Sequence, residues 1–169
     1  QRFHQQRASV LGGVAAKALT WGLAVAQINA AMGKVVAAPT AGSCGIIPGA
    51  MLAIADEHHL DDEVLCHGLL TSAGIGMVVA QRASIAGASG GCQAECGSAA
   101  AMAAGAIVEM LGGSQEAVGH AVALALKSIM GLVCDPVAGL VEIPCVKRNG
   151  FGAVNALVAA EMALSGVES

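Results

Sequence analysis

The sequence predicts an all-α fold, a compact bundle of small-residue-rich helices with cysteine-bearing interhelical loops. Three observations predict it. Hydrophobic residues make up 56% of the 169 positions and charged residues 12%, so a large part of the chain must be hidden from water. Aromatic residues are 2% of the chain, with no Tyr, and Gly and Ala supply much of the apolar count. Helices can therefore approach one another through small side chains. Where apolar residues recur periodically, the spacing is the three-and-four of a helix.

Taken in order, residues from about Arg7 to Met32 read as one helix, with Val10, Val14, Ala18, Trp21, Val25 and Ile28 at helical spacing and Gly33 as its stop. Trp21 at core spacing reads as scaffold. The stretch VVAAPTAGSCGIIPGAML is a glycine-punctuated loop leading into a helix, with Pro48 suited to a first helical turn. Asp56 to Glu63 gathers acidic residues and two histidines. A solvated loop explains it, with Asp61 as N-cap and acids in the next helix's first turn. That next helix spans about Asp62 to Arg82, and its Cys66 and His67 sit in an apolar, small-residue pattern that suggests core positions.

After Ser84 the pattern breaks into GASGGCQAECG and resumes as a helix from Ala99 to Leu111, ended by Gly112 and Gly113. Ser114 caps a helix running to about Met130, with Glu116 in its first turn. Cys92 and Cys134 both fall at breaks between helices. Asp135-Pro136 and Ile143-Pro144 bracket a segment expected to be non-helical, and a final helix follows from about Ala153 to Leu164. No repeat, linker or low-complexity tail divides the chain, so residues 1–169 are expected to form a single domain.

Charge and hydropathy exclude several classes. The formal net charge is -4, and the eight Lys and Arg form no basic stripe, which argues against a nucleic-acid partner. A mean hydropathy of +0.70 raises the alternative of a small-residue membrane helix bundle with a transport function. Two long uncharged stretches exist, between Lys34 and Asp56 and between Glu63 and Arg82. The first is interrupted by Pro39, Pro48 and three glycines, and the second carries Cys66, His67 and three glycines, so neither reads as a lipid-facing span. With no basic region and cleavage site at the start, the expectation is a cytoplasmic protein without a membrane association. Six cysteines in an apolar chain of this size point to metal binding or catalysis before a disulfide framework.

The chemistry concentrates in SGGCQAECGS at 89–98 and VCDPVAGLVEIPC at 133–145. Thiolates are soft ligands suited to zinc or iron-sulfur groups. Neither Cys92-x3-Cys96 nor Cys134-x10-Cys145 matches a zinc knuckle or a short ferredoxin run. On spacing alone, a metal site and inert buried cysteines both stay open. In the loop before the second helix, unpaired N-H groups with the hydroxyls of Thr40 and Ser43 suit an anion. An ordinary tight turn explains the same residues.

At these positions the chain resembles the alpha chain of the iron-sulfur L-serine dehydratases. APTAGSCGIIPG at 38–49, GGCQAECGSAAAMAAG at 90–105 and GLVCDPVAGLVEIPCVKRNGFGAVNA at 131–156 look like that family's three signature blocks, in order. The resemblance implies a 4Fe-4S cluster held by Cys92, Cys134 and Cys145, with Cys44, Cys66 and Cys96 outside the ligand set. It implies conversion of L-serine to pyruvate and ammonia, the open fourth iron acting as a Lewis acid on the β-hydroxyl. No pyridoxal phosphate is implied, since Lys17, Lys34, Lys127 and Lys147 lie in no Schiff-base motif.

Thr40, Gly42 and Ser43 are the expected carboxylate site, and Arg148 and Asn149 serve the substrate, the cluster or a structural turn. The general base is expected from a beta chain or beta domain, His120 and His67 reading as core histidines. The family's alpha portion begins well before Gln1, and an oligomer is expected. L-cysteine desulfidase is a sister activity that the same resemblance leaves open.

Overall fold

The computed structural model describes residues 9–140 and 142–169, and among them the regular structure is helical. In chain order the elements are α1 (Gly13–Ala30), a 3-10 turn (Ala41–Ser43), α2 (Ile46–His58) and α3 (Asp62–Arg82). There follow α4 (Gly87–Cys92), a π-helical turn (Gln93–Gly97), α5 (Ser98–Met110), α6 (Gln115–Ser128) and α7 (Glu142–Leu164). The predicted bundle is thus the observed fold.

Helix α5 is the axis, packed against α2, α3, α6 and α7. Its sequence SAAAMAAGAIVEM has almost no polar face, and every residue except Glu109 is buried. A helix apolar all round must be covered all round. Small residues bring its neighbours close. A Cβ on Gly105 would strike Ile75 of α3 and stand 3.1 Å from Val122 and 3.3 Å from Val118 of α6.

The tightest approach joins α1, α2 and α7. A Cβ on Gly49 would lie 2.7 Å from the Gly22 nitrogen, and one on Gly22 would lie 3.2 Å from the Asn149 carbonyl oxygen. Backbone therefore packs on backbone where side chains would hold the helices apart. At the rim of the same pair, Lys17 of α1 reaches Asp56 at 2.6 Å and Glu57 at 3.3 Å on α2. These ion pairs are exposed and contribute little.

Local capping accounts for several ends. The Val64 N-H donates to Asp61 Oδ1 at 3.0 Å, and the Ala117 N-H donates to Ser114 Oγ at 3.2 Å. Both caps are as the sequence predicts.

Four expectations are corrected. Helix α1 begins at Gly13, after Gly12 with φ 71, so Val10 lies outside it and is 97% exposed; Arg7 falls outside the described residues. Cys92 lies in a helical segment, since Gly87–Cys92 is a short helix kinked at Gly91 and continued by the π turn into α5. The last helix starts at Glu142. Pro144 occupies its first turn, where the missing N-H has no intrahelical acceptor in any case. Gly150 and Gly152 stay helical because Leu19 and Leu23 of α1 pack onto the first and Ile46 of α2 onto the second.

The fourth correction concerns α3. Cys66 and His67 are exposed, because the face turned to the core is the small one. Gly68 lies against Met110 and Met51, Ser72 is buried, and Gly76 lies against Met102. Leu69, Leu70, Met77 and Val78 point outward, each at least half exposed. By length and composition α3 is long and apolar enough to cross a membrane, and 11% of that window is buried.

Candidate active site

The three cysteine- and glycine-rich blocks converge where the 3-10 turn, the π turn and the first turns of α7 meet. Asn149 on α7 ties them together. It is 1% exposed; its Oδ1 accepts the Gly45 N-H at 2.7 Å, and its Nδ2 donates to the carbonyls of Gly42 at 2.8 Å and Cys145 at 2.7 Å. A buried amide with three partners fixes the 42–45 turn against the start of α7. A Cβ on Gly45 would overlap the Gly22 carbonyl, so only glycine permits this approach.

Thr40 and Ser43 form a capping box around the 3-10 turn. Ser43 is fully buried and its hydroxyl donates to the Ala38 carbonyl at 3.1 Å, so it is a structural group with no surface to offer a ligand. Asn149 likewise acts as a brace, all of its amide groups being taken up by backbone partners. Thr40, half-buried, donates its hydroxyl in a short hydrogen bond to Glu95 Oε2. An anion placed at this hydroxyl would meet a carboxylate already there.

Glu95 sits in a slot between two glycines. A Cβ on Gly42 would lie 2.6 Å from Glu95 Oε2 and 3.7 Å from Cys145 Sγ, and a Cβ on Gly87 would overlap Oε1. The residue belongs to the π turn, a departure from α-helical winding found often at functional sites.

Of the three expected ligand cysteines, two are near one another. The Cys92 and Cys145 thiols lie close enough for each to act on the other. Arg148 Nη1 donates to Cys92 Sγ at 2.8 Å, and its Nη2 stands 3.8 Å from Asp135. Burial, then the negative charges of Cys92 and Glu95, push the Cys145 thiol up to about 11, against the pull of Arg148. Cys96, more deeply buried, is pushed up to about 12 by burial and by the neighbouring Cys92, Cys145 and Glu95.

Cys134 lies on the exposed segment between α6 and α7. That segment is held beside Cys92: the Gln93 N-H donates to the Leu132 carbonyl at 2.8 Å, and a Cβ on Gly91, at φ 63, would stand 3.2 Å from the Cys134 nitrogen. Among the described residues, no three His, Cys, Asp or Glu side chains are gathered closely enough to hold a metal ion. In donor chemistry the residues nevertheless fit an iron-sulfur group. Two thiols lie near one another, a guanidinium donates to one of them, and the backbone of the third abuts the residue next to Cys92.

Of the clefts beside the first turns of α7, two reach cysteines, Cys96 in one and Cys145 in the other. The larger, about 390 Å³, is lined by Leu132, Asp135, Lys147, Arg148 and Phe151 among others. The smaller, about 140 Å³, is lined by Asn29, Gly42, Glu142, Cys145 and Asn149 among others, and suits only a small molecule. His67 is on the exposed face of α3, and His120 Nδ1 accepts the Ser169 N-H at 3.2 Å, so neither histidine joins the cluster of residues described above.

Glu95 is the residue that sequence reasoning missed. The available signal was a carboxylate set between two cysteines in a glycine-rich block.

Residues 1–169 match the family described as serine dehydratase alpha chain. The chain is similar to the L-serine dehydratase alpha chain of Peptoniphilus asaccharolyticus, at 52% identity over 161 residues, covering 95% of this chain and 55% of that protein. It is similar to the probable L-serine dehydratase alpha chain of Bacillus subtilis, at 50% identity over 169 residues, covering 100% and 56%. A third relative is the L-serine dehydratase of Streptomyces coelicolor, 46% identical over 153 residues, covering 86% of this chain and 32% of that protein. The chain therefore spans about half the length of the two alpha chains.

Proposed function

The chain belongs to the serine dehydratase alpha-chain family, and from that premise we propose that it is the cluster-bearing part of a cytoplasmic L-serine ammonia-lyase that forms pyruvate and ammonia. The observation that carries this reading is the convergence of Cys92 and Cys145, from separate blocks, beside the Glu95 carboxylate and the Arg148 guanidinium. In this reading Cys92, Cys134 and Cys145 hold a 4Fe-4S cluster, and pyridoxal phosphate has no part. When bound, a cluster with three protein ligands supplies an open iron that acts as a Lewis acid on the departing hydroxyl.

The chain's own residues prepare the site. Arg148 donates a hydrogen bond to Cys92 Sγ and so fixes where that sulfur sits. Asn149 keeps the Gly42 and Cys145 carbonyls at a fixed distance, and Thr40 holds one oxygen of Glu95. The acceptor of the α-proton comes from the beta chain or beta domain, with which this part assembles into an oligomer.

The test is anaerobic reconstitution of the full-length enzyme with iron and sulfide, followed by a pyruvate assay on L-serine. Activity that tracks iron content supports the reading. Full activity in iron-free enzyme overturns it.

A further inference from the structure

Taking the proposed reaction as its premise, we infer that Glu95 is the binding group for the α-ammonium of an amino-acid substrate, and so the residue that separates amino acids from acids lacking the amine. Its carboxylate is half-buried, and its two oxygens pack against Gly87 and Gly42, where any side chain would displace them. Thr40 donates to Oε2, and the thiols of Cys145 and Cys96 are close enough to feel its negative charge. Among the described residues it pairs with no cation. Ion pairs among the described residues join Lys17 to Asp56 and Glu57, and Arg148 to Asp135; Glu95 takes part in none of them.

A carboxylate drawn partly out of water without a counter-charge is a receptor for one. Arg148, the guanidinium nearest this site, is engaged by Cys92 and Asp135. Glu95 Oε2 packs on the bare face of Gly42. Gly42 and Cys145, which flank that oxygen, also line the small cleft.

The chemistry of the substrate fits this position. L-serine carries its ammonium on the carbon adjacent to the one bearing the hydroxyl. A carboxylate beside one of the cysteine sulfurs therefore holds the amine while the hydroxyl faces the metal. The same carboxylate repels the substrate's own carboxylate, which fixes the orientation in which the molecule enters.

The experiment uses the full-length enzyme, kept anaerobic, and two unreactive ligands that differ by one ammonium group, L-alanine and propionate. Their binding is followed by ligand-observed NMR in wild type, in E95Q, which keeps an acceptor for Thr40 but loses the charge, and in E95D. Wild type is expected to bind L-alanine more tightly than propionate. E95Q is expected to lose that preference by roughly ten- to a hundredfold, the range of a charge-assisted hydrogen bond, with iron content and thermal midpoint unchanged. E95D is expected to fall between.

Retained discrimination in folded E95Q overturns the inference, as does a wild type that does not distinguish the two ligands. If E95Q does not fold, E95D decides by the same comparison: a preference equal to wild type overturns the inference. Pyruvate formation from L-serine by wild type is measured in parallel. Its absence sinks the proposed reaction while the alanine and propionate comparison still judges Glu95.

Discussion

Asn149 and Cys134 both belong to the third glycine- and cysteine-rich block, and the chain treats them in opposite ways. Asn149 is 1% exposed, makes three hydrogen bonds, and sits where the backbones of α1, α2 and α7 nearly touch. Cys134 is exposed on a connecting segment tied down by one backbone hydrogen bond from Gln93, by contact with Gly91 and by a 3.8 Å ion pair from its neighbour Asp135 to Arg148. One side of the site is a fixed floor. The other is a loop whose position is weakly determined. The difference separates two tasks: the floor orients, and on the proposed ligand set the loop is the side that would close on the cluster.

The comparison breaks first at the floor. Asn149→Ala strands the Gly45 N-H and two carbonyls in a dry interior, and the expected loss is about 3–5 kcal/mol of stability in urea unfolding. Asn149→Asp, which keeps the acceptor and loses the donors, is expected to retain part of it. Gly45→Ala drives a methyl into the Gly22 carbonyl, and a destabilisation of roughly 2–3 kcal/mol is expected by the same measurement.

A pH titration sharpens the contrast. Cys145 and Cys96 hold their protons more tightly when folded, near about 11 and about 12, than an unfolded thiol at 9.0. In cluster-free protein their contribution to stability is complete below the unfolded value and is lost as pH rises through the folded ones. Denaturant midpoints are therefore expected to fall above pH 9, and to fall less in Cys96→Ala.

The loop side gives the smallest effects on folding. Asp135→Ala is expected to change stability by less than about 1 kcal/mol, as for other exposed ion pairs. Cys134→Ser is expected to stay within about 0.5 kcal/mol of wild type in unfolding. On the proposed ligand set, its iron and sulfide content after reconstitution drops severalfold. Unchanged content removes Cys134 from that set.

What could be read from sequence was local or periodic. Asp61 and Ser114 announce helix starts because a cap acts within three residues, and both caps form. The start of α7 was hidden by reading Pro144 as a breaker, although a proline in a first turn interrupts nothing. The orientation of α3 was hidden for a different reason. Hydrophobicity does not distinguish its two faces, and it is size that turns Gly68, Ser72 and Gly76 inward and leaves Cys66 outside.

The site divides in the same manner. The blocks that converge were visible as blocks, and Arg148 and Asn149 were singled out with them. Glu95 was not, because what makes it special is supplied by Gly42 and Gly87, and no local pattern states that two glycines will flank one carboxylate.

The order in which a ribosome delivers this chain gives α7 a further meaning. Helix α5, greasy on every side, is synthesised before the last segment that shields it, and that segment also brings Cys145, Arg148 and Asn149. A nascent product stopped short of Glu142 would present sticky surface to chaperones and proteases and would lack half of its chemistry. The last cover for α5 and the gathering of Cys145, Arg148 and Asn149 thus arrive with the same helix.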